Sequence, residues 1–122
     1  MFGYSPPGWP EAVRPPGASE WEASAAAYLF DCCPPDFRAY RVLRNHPIVL
    51  AQFARHFVEA QGQAAQDGLA AARTGLQDFV EARVLEEATQ AWLEQAARLA
   101  RTRRAVALID EALRGRTFVP KM

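Results

Sequence analysis

Lysine is nearly missing from this sequence of 122 residues: Lys121 stands alone beside thirteen arginines. With the abundance of alanine, that bias reads as the coding habit of a GC-rich, bacterial genome and not as a functional signal. Long apolar runs are missing too. No stretch of about eighteen apolar residues occurs, which excludes a membrane-spanning helix. The opening "MFGYSPPGWP" has no basic cluster followed by an apolar core, so it does not read as a secretory signal. Cysteine is scarce. Cys32 and Cys33 are adjacent, a spacing that strains a disulfide ring and leaves no other partner, so a reducing cytoplasm is the expected compartment. Net charge is absent as well: fourteen basic residues balance fourteen acidic ones. Bulk attraction to nucleic acid or an anionic membrane is therefore not expected, and charge gives little protection against self-association.

The motifs of common chemistries are also absent. "GQAAQDG" and "GLAAARTG" lack the strand-loop-helix setting and the lysine of a phosphate loop, and no Gly-x-Ser-x-Gly elbow occurs. Cys32-Cys33 has no second ligand pair for a structural zinc and no Cys-x-x-Cys spacing, so it reads as two small buried residues ending a helix. His56 and Glu59 share a helical face, but a di-iron bundle wants the order Glu-x-x-His in two copies. They read as a surface pair, and His46 as a turn or capping residue. No catalytic, cofactor-binding or metal-binding set is assigned.

What is present is helical pattern. Residues 1–18 hold five of the nine prolines and three of the seven glycines, which makes an irregular arm. Its Phe2, Tyr4 and Trp9 suit an arm lying on a surface groove. A single helical domain is expected over 19–116, with a tail over 117–122. Ser19 and Glu22 have capping-box spacing, and Trp21, Ala25, Tyr28, Leu29 and Cys32 fall on one helical face until Pro34 and Pro35 stop it. A short helix is expected from Asp36 to Arg44, with Phe37, Tyr40 and Leu43 facing inward. Pro47 suits the first turn of the next helix.

From Pro47 to Pro120 no proline intervenes. One helix over that span would be roughly 100 Å long at ~1.5 Å per residue, far beyond a domain with a radius of gyration of about 14 Å. A break is expected at "TGLQDFVE", with Gly75 as a C-cap and Asp78 with Glu81 as a second capping box. The long helices are then Pro47–Thr74 and Phe79–Arg114, closed by Gly115. The second carries a seven-residue repeat, Leu85, Trp92, Leu99, Val106 and Leu113. The first is expected to answer with Leu50, Phe53, Phe57, Ala64, Leu69, Ala72 and Leu76. The fold class is all-α: two long antiparallel helices and two short N-terminal ones. The short pair cannot cover the long one, so a homodimer on that repeat is expected.

Charge falls in alternating blocks. Residues 38–58 carry four arginines and no acid, 59–97 seven acids and two arginines, and 98–122 seven basic residues and two acids. We read this as mutual compensation, with the arginines meeting Glu81, Glu86, Glu87 and Glu94 across a packing interface. The alternative is a nucleic-acid surface built on Arg38, Arg41, Arg44, Arg98, Arg101, Arg103 and Arg104, with Tyr40 stacking on a base. The leading functional expectation is a non-catalytic, cytoplasmic scaffold that binds a protein partner.

Overall fold

The computed structural model describes residues 4–121, so Phe2 lies outside the described residues. Among them there are four α-helices, one 3-10 helix and no strand. Helix α1 spans Trp21–Asp31, the 3-10 helix Pro35–Ala39, α2 Arg41–Asn45, α3 Pro47–Leu76 and α4 Ala82–Leu113. The two long helices, α3 and α4, pack against each other as a hairpin, and α1 and α2 lie on α3. No helix of the described residues is long and apolar enough to cross a membrane.

The prolines punctuate as expected. After α1, Pro34 caps and Pro35 opens the 3-10 helix, and Pro47 occupies the first turn of α3. The expected helix Asp36–Arg44 is instead two short pieces, because Tyr40 takes an extended conformation between them. Gly115 has φ +100°. It closes α4 in a Schellman arrangement, with Gly115 N–H donating to the Ala112 carbonyl and Arg116 N–H to the Glu111 carbonyl.

Neither capping box forms. At α1 the N-cap is Glu20, held at φ 65° without a side-chain cap, and the Trp21 amide donates to the Ala18 carbonyl at 3.2 Å. Ser24 Oγ accepts from the Arg14 amide at 2.9 Å and donates to the Trp21 carbonyl at 2.8 Å. At the hairpin, α3 runs through Gly75 to Leu76, and a turn follows in which the Phe79 and Val80 amides donate to the Leu76 carbonyl. The N-cap of α4 then falls on Glu81, three residues past Asp78.

The main core sits at one end of the molecule. Leu29, Leu43, Leu50, Val58, Val106 and Ile109 are its largest fully buried side chains. The arm reaches it, and Trp9 and Trp21 join it to a smaller cluster of Leu108, Ala112 and the tail's Phe118. Trp9 packs against Trp21 and Phe118, with ring centroids 6.4 and 6.2 Å apart, and donates its indole N–H to the Val13 carbonyl at 2.9 Å.

The repeat on α4 closes within the chain. Leu85, Leu99 and Val106 are buried, and Trp92 and Leu113 are half-buried. The opposing row on α3 matches expectation at the buried Leu50 and Ala72 and differs elsewhere. Ala51, Val58, Ala65 and Ala72 are buried at seven-residue spacing, while Ala64 is exposed and Phe53 and Phe57 turn to a neighbouring face. Small residues on α3 therefore meet large ones on α4. The closest case is Gly68, where an added Cβ would stand inside the Trp92 indole.

Candidate functional site

Three surfaces carry clustered side chains. The first is an aromatic corner where the 3-10 helix meets α3. Phe37 makes edge-to-face contacts with Tyr40, Phe53 and Phe57, at centroid distances of 5.8, 5.8 and 5.0 Å. Phe37 and Phe57 are half-buried, whereas Tyr40 is 50% and Phe53 38% exposed. The inward stripe expected of Phe37, Tyr40 and Leu43 thus splits. Leu43 is buried, but Tyr40 follows the extended backbone outward because the helix breaks there.

The second is a groove of about 520 Å³ between arm and α4, lined by Trp9, Pro10, Glu11, Tyr28, Arg98, Arg101 and Thr102 among others. Arg104 anchors the arm beside it, donating from Nε to the Pro7 carbonyl at 3.1 Å. Gly8, at φ +95°, lies so close to that side chain that a Cβ would overlap it.

The third is a charged cleft between α3 and α4, centred on Asp110. This carboxylate is 3% exposed. It accepts from Arg55 across the hairpin at 2.9 Å and from Arg114 one turn on, also at 2.9 Å. Both oxygens are thereby satisfied, as a buried charge requires. Glu59 with Arg103 at 3.8 Å, and Glu111 with Arg116 at 2.6 Å, extend the network. Asp110 was not singled out from sequence. Its one available signal was an acid closing the apolar run Ala105–Ile109, with Arg114 four residues on.

The seven arginines divide among these surfaces. Arg38 pairs with Asp31 at 2.6 Å and lies over the Phe30 ring at 5.7 Å. Arg44 donates to the Arg38 carbonyl. Arg41 makes no ion pair among the described residues. Arg98 donates to Gln95. Arg98 and Arg101 line the arm groove, Arg103 reaches Glu59, and Arg104 holds the arm. Of the acids expected opposite them, Glu81 and Glu87 pair with Arg83 instead.

Cys32 caps α1 and is half-buried; Cys33 is buried. Burial, reinforced by the neighbouring Cys33 and Asp31, pushes the Cys32 thiol up to about 11. Burial also raises Cys33, against the nearby Arg38. Both thiols are therefore protonated and poorly nucleophilic near neutrality. Tyr28 is raised by burial as well, reinforced by Cys32 and opposed by the nearby Thr102 and Arg98. Comparison with protein-family models, with curated proteins and with solved structures returns no match.

Proposed function

We propose that this chain is a non-catalytic helical interaction protein that acts as a homodimer in the cytoplasm and binds a protein partner. One observation carries the dimer. The main core cluster stops at Val58 on α3 and begins at Val106 on α4. Farther along, the hairpin is two helices thick. There Leu69, Leu76, Ala88 and Trp92 are only half-buried. Since α3 already covers the α4 repeat, the flank of that seam, and not its centre, is the surface left for a second copy. Two hairpins packed about a two-fold axis make a four-helix bundle and remove that flank from water. The partner-binding half of the reading draws on the exposed aromatic corner and on Phe79, 84% exposed at the hairpin tip. The test is sedimentation of a Leu69→Glu/Leu76→Glu variant. It should run as a helical monomer where the parent chain runs as a dimer.

A second reading has its own support. Arg98 and Arg101 share the arm groove with Trp9 and Tyr28, the mixture of cationic and stacking groups that suits single-stranded nucleic acid. A gel shift at two salt concentrations distinguishes it. Binding that weakens steeply with salt, at a log–log slope of about −0.7 per phosphate contact on single strands, and that is lost in Arg98→Glu/Arg101→Glu, favours this reading. Binding at neither salt retires it.

A further inference from the structure

We propose that the aromatic corner docks an acidic protein segment that carries apolar anchor residues. This rests on the protein-binding reading above and gives it a place and a chemistry. Phe37 is the hub. Its edge-to-face contacts with Tyr40, Phe53 and Phe57 fix the angles of all four rings. Rings held in this way lose little freedom when something packs on them, and Tyr and Arg are the residue types that most often anchor binding interfaces. The two most exposed rings, Tyr40 and Phe53, face water without a covering element.

The charge around the rings sets the kind of partner. No acid occurs from Phe37 to Val58, a span that supplies every ring of the corner. Arg41, next to Tyr40, makes no ion pair among the described residues. Arg44 spends a donor on the Arg38 carbonyl at 2.7 Å, which leaves its charge uncompensated. Arg38, by contrast, is answered by Asp31. The complement is a segment with an aromatic or leucine side chain to cover Tyr40 and Phe53, and carboxylates to reach Arg41 and Arg44. Charge of opposite sign beside an apolar anchor supplies encounter rate and register, while the anchor supplies affinity. An anionic membrane meets the same arginines less well. Asp31 and Asp36 are exposed close by. A continuous anionic sheet would press on them, whereas a peptide can place its carboxylates against Arg41 and Arg44 alone.

The experiment pans a random twelve-residue peptide library on the full chain. Recovered peptides are then titrated by fluorescence polarisation against the parent chain, Tyr40→Ser/Phe53→Ser and Arg41→Glu/Arg44→Glu. Recovered peptides should be acidic with at least one aromatic or leucine, and each double variant should weaken them by about tenfold or more. Circular dichroism checks the fold, and the charge variant, confined to exposed positions, is the control should the aromatic one unfold. Peptides that bind both variants as tightly as the parent overturn the corner as the surface and leave the protein-binding reading standing. Neutral or basic peptides overturn the chemistry. A library that yields no binder overturns both. Co-sedimentation with vesicles of phosphatidylcholine and phosphatidylserine runs alongside, and vesicle binding lost in both variants, without peptide binding, overturns the proposal in favour of a membrane.

Discussion

Four residues give the sharpest local tests, because each has one dominant physical cause. Glycine in a helix interior normally costs roughly 0.5–1 kcal/mol relative to alanine. Gly62 has open space where a Cβ would go, so Gly62→Ala should raise stability by about that amount. Gly68 lies under the Trp92 indole, so Gly68→Ala should instead lower it by about 1–3 kcal/mol as the ring is displaced. Opposite shifts of thermal midpoint in the two variants are the expected result. Asp110→Asn keeps the shape but removes the charge that answers Arg55 and Arg114. With both arginines roughly half-exposed, water replaces part of the loss, and urea unfolding should show a decrease of about 1–3 kcal/mol. Cys32 supplies a pH dependence. Its thiol titrates near 9.0 when unperturbed and at about 11 in the fold. The folded state therefore holds the proton more tightly, and this contribution to stability is intact below pH 9. It declines as pH rises toward 11, while the unfolded thiol ionises and the folded one does not. Denaturation at stepped pH should show the stability of the parent chain falling relative to Cys32→Ala across that window.

At the scale of the element, stops and starts enforced by covalent geometry were readable from sequence. Proline cannot donate and disfavours a helical predecessor, so the boundaries near Pro34 and Pro47 followed without tertiary knowledge. Gly115 followed because a left-handed C-cap costs it nothing. The side-chain caps did not follow. Ser19 and Asp78 have the right spacing, but an arm turn in one case and a hairpin turn in the other move the first helical residue past them. The buried face of α3 was legible only in part: Leu50 and Ala72 are buried as expected, whereas Phe53 and Ala64 are exposed. Phe53 and Phe57 are the most apolar choice by composition. What α3 faces, however, is a row of large side chains on α4, and only Ala51, Ala65, Gly68 and Ala72 let the helices come close enough. The phenylalanines then find Phe37. That is complementarity between two elements, which no single helix records. Because Leu99 is buried against α3 of its own chain, Leu99→Glu should unfold the hairpin and not merely separate subunits, since an unpaired carboxylate would be stranded in apolar surroundings. Loss of helix by circular dichroism at every protein concentration is the expected result.

For the whole molecule, the packing is lopsided. A core built from the arm, α1, α2 and the adjoining ends of α3 and α4 occupies one end, and a two-helix hairpin with a half-buried seam extends from it. The all-α class and the long antiparallel pair were legible in the heptad repeat and the proline-free span. The sharing of arginines among an aromatic corner, an arm groove and an Asp110-centred cleft was not, because it depends on contacts between residues far apart in the chain. In the proposed homodimer, a second copy completes the open half of the hairpin. Light scattering on the parent chain across a micromolar dilution series tests it most directly. The expected mass is twice the 13.5 kDa of the chain, falling toward the single-chain mass only on dilution. A single-chain mass at every concentration would contradict it.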